Sequence, residues 1–230
     1  MTIEPLRLNK FIAQRLHLGR RAADELITRG KVLVNGDVPT LGTRVHPGDH
    51  IIANGTHLTT DAPHFLYLLF NKPKGCVCSR RQQGDTPTIY SALPAKYQHL
   101  KPVGRLDKNS SGLLLLTNDG DLAHRMTHPS FAKIKKYEVT LDTPLQPLHR
   151  QMITENGIAL ADGISKFQVE RQKEGNDHAW IVTMHEGRNR QIRRTFAALG
   201  YEVTRLHRIQ FGPYNLHQLG DKPFIEIPKI

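Results

Sequence analysis

Acidic side chains are in short supply: 21 Asp and Glu stand against 32 Lys and Arg in 230 residues, a formal net charge of +11. No apolar stretch approaches the ~18 residues of a membrane span. The N-terminal MTIEPLRLNKF lacks the apolar core of a secretory signal. Both absences predict a cytoplasmic protein with no membrane partner. Only two cysteines occur, Cys76 and Cys78, with one residue between them. That is neither a disulfide framework nor a four-ligand zinc site, so free thiols are expected. A nucleotide-binding glycine loop, a metal-ligand set and a nucleophile–His–Asp pattern are also missing. No cofactor and no metal are therefore expected.

What is present is positive charge spread through the chain. Residues 1–60 carry 8 basic and 5 acidic side chains, and the remainder carries 24 and 16. An excess distributed this way, rather than gathered in a tail, suits a surface that tracks a phosphate backbone. An anionic membrane fits less well, because no long basic amphipathic helix stands out. The length allows one or two domains with a sizeable core.

The most informative stretch is residues 104–121, GRLDKNSSGLLLLTNDGD. Residues 113–116 are four leucines bounded by turn signals, with Ser110, Ser111 and Gly112 before them and Asn118, Asp119 and Gly120 after. Such a run is long enough for a strand buried on both faces and too short for a helix. Arg105 and Asp107 precede it on a loop that a central strand would hold still. Spacing alone leaves two readings of that pair. Either Asp107 caps a short turn or helix with Arg105 solvated beside it, or both side chains are functional.

Taken in order, Leu8, Phe11, Ile12 and Leu16 recur at helical spacing, with Arg7 and Lys10 among them. A second helical pattern holds Ala22, Ala23, Leu26 and Ile27 and stops at Gly30. Residues 31–34 read as a strand, Asn35-Gly36 as a tight hairpin turn, and a further strand runs toward Ile51-Ile52. Arg20, Arg21, Arg29 and Lys31 cluster on this unit. Residues 53–64, with Gly55, Thr59, Thr60 and Pro63, form a plausible linker. A second domain then opens with a strand over residues 65–70, ending at Asn71-Lys72-Pro73-Lys74-Gly75.

Residues 80–87 are a polar loop, and residues 122–127 begin as a helix. His124 and His128 lie four apart, on one helix face, with no third ligand in pattern. Residues 135–141 alternate as a strand with Tyr137, Val139 and Leu141 on one face, where a core tyrosine is the simplest reading. A helix followed by turns at Asn156-Gly157 and Asp162-Gly163 is expected over residues 150–167. The strand 180–184 runs into HEGRNRQIRR. There Arg188, Arg190, Arg193 and Arg194 surround the start of a helix over 191–199, an anion site by charge and by backbone N–H groups. A strand over 203–211 bears Arg205, His207 and Arg208, and a short tail follows.

Gly-Arg-Leu-Asp at 104–107, the hydroxyl of Ser110, Gly112, the leucine strand and Thr-Asn-Asp-Gly at 117–120 together resemble the signature of the RNA pseudouridine synthases. Within them they are similar to the ribosomal enzymes of the RsuA/RluB type. Lys-Pro-Lys-Gly at 72–75, Lys-Lys-Tyr-Glu-Val at 135–139 and Glu-Gly-Arg-Asn-Arg-Gln-Ile-Arg at 186–193 are similar to that family's further signatures. GRRAADELITRGKVLVNGD at 19–37 resembles the small RNA-binding module of ribosomal protein S-four. Gly19 departs from the serine more usual there, yet glycine is a tolerated helix cap. The resemblance spans residues 6–211.

It implies an α+β fold: a helix–helix–hairpin RNA-binding domain over 1–60, and a catalytic domain over 61–230 on a mostly antiparallel mixed sheet flanked by helices. It implies that Asp107 is the essential catalytic residue, that Tyr137 packs against the target base, and that Arg193 pairs with Asp107. Arg105 is then expected to fill the space left by a flipped uridine. Lys72, Arg188, Arg190 and Arg194 would hold flanking phosphates, while Arg7, Lys10, Arg20, Arg21 and Lys31 would add affinity for ribosomal RNA. The implied activity is cofactor-free isomerisation of a ribosomal uridine by a monomer acting on free RNA or on subunit assembly intermediates. LLLLTNDGDLA and EGRNRQIRR lean toward the large-subunit members. Three competing readings stand beside it. One is a non-catalytic RNA-binding assembly factor on the same scaffold, and another is a base-excising glycosidase using Asp107. A metal-dependent nuclease using Asp107, Asp119 and Asp121 is disfavoured, because Asn118-Asp119-Gly120 reads as a turn.

Overall fold

Leu113, Leu114, Leu115 and Leu116 are fully buried, and the strand they form lies inside a nine-stranded sheet. The structure is a computed structural model describing residues 6–59, 61 and 63–229. The chain divides into two units, Met1–Phe65 and Leu66–Ile230. Among the described residues, no helix is long and apolar enough to cross a membrane.

In the first unit, β1 (Leu6–Arg7) leads into α1 (Leu8–Arg15) and α2 (Arg20–Thr28). Four short strands follow: β2 (Val32–Val34), β3 (Arg44–Val45), β4 (Ile51–Ala53) and β5 (Thr56–Leu58). Leu8, Phe11 and Ile12 share one face of α1 and meet Ala23 and Ile27 of α2 over Val32, Ile51 and Ala53. Arg7, Arg20, Arg21 and Lys31 are exposed on the outside, and Lys10 is half-buried.

The hairpin expected after β2 takes another form. Asn35 and Gly36 do make a tight turn, with φ of 54° and 94°, and Val34 and Asp37 exchange backbone hydrogen bonds of 2.9 and 3.0 Å. The ladder stops there, and β2 pairs antiparallel with β4 instead. The hairpin proper is β4–β5 across Asn54 and Gly55. Residues 56–58 are thus a strand rather than linker, drawn in by buried Leu58. Thr60 of the expected linker lies outside the described residues.

The second unit runs β6 (Tyr67–Lys72), β7 (Lys101–Pro102), β8 (Ser111–Thr117), α3 (Gly120–Thr127) and β9 (Lys135–Leu141). It continues through α4 (Pro147–Gln151), β10 (Ile158–Leu160), β11 (Gly163–Ser165), β12 (Gln168–Arg171) and β13 (Ala179–Met184). α5 (Gln191–Ala197), β14 (Val203–Phe211), β15 (Tyr214–Asn215) and β16 (Phe224–Glu226) complete it. The sheet order is β12-β13-β9-β14-β8-β6-β16, with β7 on β8 and β15 on β14. Every pairing is antiparallel except β14 with β8. At that parallel seam the backbones nearly touch. Gly112 has φ 102°, and a Cβ there would lie 2.3 Å from the Arg208 carbonyl oxygen. Only glycine fits.

One apolar cluster gathers Val139, Trp180, Phe196 and Leu206, and another gathers Leu68, Phe70, Ile89, Leu114 and Leu116. The overall class is the α+β class expected. Two local expectations change. The helix sought within 150–167 begins earlier, at Pro147, and widens into a π-helical turn over Met152–Asn156 before the β10–β11 hairpin. The residues after 211 are not a tail: Tyr214 and Leu219 are buried, and β16 pairs with β6 at the sheet edge.

Candidate active site

The loop entering β8 is held from beneath. Lys72, the last residue of β6, is fully buried. Its Nζ donates to the carbonyls of Ser110 (2.8 Å), Pro73 (3.0 Å) and Asp107 (3.2 Å). Burial pulls the lysine below its ordinary pKa. Ser110 N–H donates to the Asp107 carbonyl at 3.0 Å, and Leu106 is tucked into the core on one side of Asp107. Lys72 was expected to hold phosphate. It cannot reach solvent, because three backbone carbonyls occupy its ammonium.

These contacts present Asp107 to a cleft of about 290 Å³. Arg105 stands exposed on its rim, and the Tyr137 ring, buried on β9, forms part of its wall. Met184, Ile192, Leu206 and Phe211 supply apolar surface. Asp107 and Tyr137 thus share one cavity.

Arg193 does not line it, and the expected ion pair with Asp107 is made by another residue. Arg190 Nη1 lies 3.8 Å from Asp107 Oδ2, whereas Arg193 donates to the carbonyls of Val203 (2.5 Å) and Asn109 (2.9 Å). Burial lowers the Arg193 pKa, with Arg190 adding to that and Asp107 opposing it. The phosphate cluster read from the four arginines also divides. Arg194 makes a two-pronged contact with Asp162 at 2.8 and 3.0 Å. Arg188 reaches the same carboxylate at 3.0 Å and the carbonyls of Asp162, Gly163 and Ile164 at 2.8–3.1 Å. These two arginines clasp the β10–β11 hairpin, since its turn brings a carboxylate and three backbone carbonyls to them. Of the four, Arg190 makes the ion pair with the Asp107 carboxylate, while Arg193 lies close enough to feel its charge and Arg188 also lines the cleft.

Three further side chains in the cleft wall went unassigned in the sequence. Arg208 is 2% exposed, donates Nε–H to the Leu113 carbonyl at 2.8 Å and lies over the Phe211 ring at 4.6 Å. Its Nη2 and the Oγ of fully buried Ser110 have no partner among the described residues. Lys135 donates to the Glu186 carbonyl at 3.1 Å. Period-two spacing from buried Leu206 would have turned Arg208 inward. Asp119 is taken by structure: it caps α3 through Asp121 and Leu122 N–H and accepts from Tyr67 and Lys229.

The comparisons with known proteins agree in direction. The model of the family "RNA pseudouridylate synthase" matches residues 66–198, and an S4 domain model matches residues 6–51. A Bacillus subtilis (strain 168) protein named ribosomal large subunit pseudouridine synthase B is 37% identical over 221 residues, 93% of this chain and 88% of that one. A Xylella fastidiosa protein of the same name is 38% identical over 216 residues, 90% of this chain. The chain spans only 45% of that relative's length. A solved structure titled "Crystal structure of pseudouridylate synthase" is 33% identical with a TM-score of 0.67, covering 97% of this chain and 96% of its own.

Proposed function

The chain belongs to the RNA pseudouridylate synthase family, and from that premise we propose that it isomerises a uridine of ribosomal RNA to pseudouridine. The observation that carries this reading is the meeting of Asp107 and Tyr137 in one cleft whose apolar walls suit a base. Its volume, about 290 Å³, is at the small end for ligand clefts and suits a single nucleotide.

The target uridine leaves its stack to enter the cleft, where Tyr137 covers the ring face and Arg105, on the rim, occupies the gap in the RNA. The C1′–N1 bond breaks with its electron pair passing to the uracil. The base then turns, C5 bonds to C1′, and the C5 proton passes to water. Asp107 serves through one of two routes, attack on C1′ or removal of the 2′ proton, and is regenerated in both. Arg190 faces the carboxylate with opposite charge. In this reading Arg193, Arg188 and Arg194 act as positioning residues, and Arg7, Lys10, Arg20, Arg21 and Lys31 meet phosphates of the surrounding RNA. The protein acts as a cytoplasmic monomer on free ribosomal RNA or on assembly intermediates, and the names of its relatives favour the large subunit.

The test is tritium release from ribosomal RNA labelled at uridine C5, since that hydrogen exchanges only when C5 becomes the glycosidic carbon. Wild type should release it, and Asp107→Asn should not while keeping RNA affinity within a few-fold. Silence from wild type on free RNA, subunits and assembly intermediates would favour a non-catalytic binding factor. Free uracil among the products would favour a glycosidase.

A further inference from the structure

The segment 122–136, LAHRMTHPSFAKIKK, contains Arg125, Lys133, Lys135 and Lys136 and no carboxylate. Within it the His124 and His128 rings lie 4.9 Å apart, and Phe131 stands edge-on to them at 6.1 and 6.3 Å. A cluster of three rings is ordinarily drawn toward a core. Here all three residues are exposed, Phe131 to 43%, with Ile134 beside them at 38%. The arrangement is held by specific contacts. Ser130 N–H donates to His128 Nδ1 at 3.3 Å, and Ala132 turns the chain at φ 40°. The Ala132 carbonyl lies 3.1 Å from His185 Nδ1. Thr127, between the two histidines, and Lys135, four residues after Phe131, both line the Asp107 cleft, so the rings lie near its mouth.

We infer that this patch is a landing surface for single-stranded RNA beside the cleft. An unpaired base stacks on Phe131, with the two imidazoles next to it, and Arg125 and Lys133 hold the neighbouring phosphates. Every base has a π-face, so exposed rings accept bases of any sequence, and cations without competing carboxylates accept the backbone between them. A base held here offsets part of the stacking lost when its neighbour is flipped. The inference rests on the nucleotide-binding reading of the Asp107 cleft.

The test is a titration of the full chain into a single strand of about a dozen adenosines with 2-aminopurine at its centre, a probe whose fluorescence falls on stacking. Wild type should quench it. Phe131→Ala should weaken binding by about tenfold and lose the quench, with the salt dependence and the melting temperature unchanged, because an exposed uncharged ring is removed. Phe131→Trp should restore both. Arg125→Ala with Lys133→Ala should keep the quench and flatten the slope of log Kd against log salt by about 0.7 for each cation. Wild-type affinity and quench in Phe131→Ala would overturn the inference, as would equal Phe131-dependence for a duplex of the same length. The probe holds no uridine, so failure here alongside tritium release by wild type would sink the patch alone. Phe131-dependent quenching without tritium release would sink the synthase alone.

Discussion

Arg190 places its Nη1 3.8 Å from Asp107 Oδ2, and it does so from a left-handed backbone, φ 47°, immediately before α5. A non-glycine residue is strained there, at a cost of order 1 kcal/mol or more. That backbone turns Arg190 toward the loop, whereas Arg188, which also lines the cleft, and Arg194 are held by Asp162. Arg193, three residues later, is spent on two carbonyls.

Arg190→Ala should therefore lower the single-turnover rate of tritium release by about ten- to a hundredfold through lost charge stabilisation. Its melting temperature should hold, because the side chain is about half exposed. Arg193→Ala should instead lower the melting temperature, by leaving the carbonyls of Val203 and Asn109 unmatched, about 2 kcal/mol in all. Calorimetry beside the rate assay separates the two. An Arg193→Ala protein of unaltered stability and lost activity would restore Arg193 as the partner of Asp107.

Lys72 gives a sharper contrast between position and charge. Lys72→Met keeps the apolar stem and strips one buried and two part-buried carbonyls of their donor, so stability should fall by about 2 kcal/mol in a urea titration. Tritium release should fall with it, since the Asp107 loop loses its anchor. The salt slope of RNA binding should not move. A slope lower by about one unit would mean that the ammonium meets phosphate after all.

Asp119 sets an acid limit on stability. Burial pushes its carboxyl up, but the Leu122 N–H bond, Lys229 and Tyr67 together outweigh it and hold the folded-state pKa below 3.8. A depressed carboxylate contributes stability that is present above its unfolded pKa and is lost as pH falls through the folded value. Unfolding free energy should thus decline below about pH 4. Asp119→Asn, which can still cap α3, should flatten that decline in chemical denaturation across the acid range.

Residues 66–230 alone should unfold cooperatively and bind ribosomal RNA more weakly than the whole chain. The loss should carry a reduced salt dependence, because Arg7, Lys10, Arg20, Arg21 and Lys31 leave together. A fragment without a cooperative transition would show that the two units are interdependent.

Local rules made much of this molecule legible. Helical spacing of Leu8, Phe11 and Ile12 marked α1, and four leucines between turn residues marked β8. Strict alternation set β9 at Lys135–Leu141, and the last long strand lies at Val203–Phe211 as read. Periodicity and turn chemistry act over a few residues, so a single segment contains all the information they need. The resemblance to a known family singled out Asp107 and Tyr137 in the same way, residue by residue. Partners are another matter. The strand that β2 joins, the place of β16 at the sheet edge and the burial of Lys72 depend on what arrives from elsewhere in the chain. So do the arginines: each carries the same charge in the sequence, yet Arg188 meets a carboxylate 26 residues away and Arg208 a carbonyl 95 residues away. A cation's role follows from whether water, carbonyl or carboxylate surrounds it. Only the folded chain brings those groups into range, and desolvation then decides which contact each guanidinium keeps.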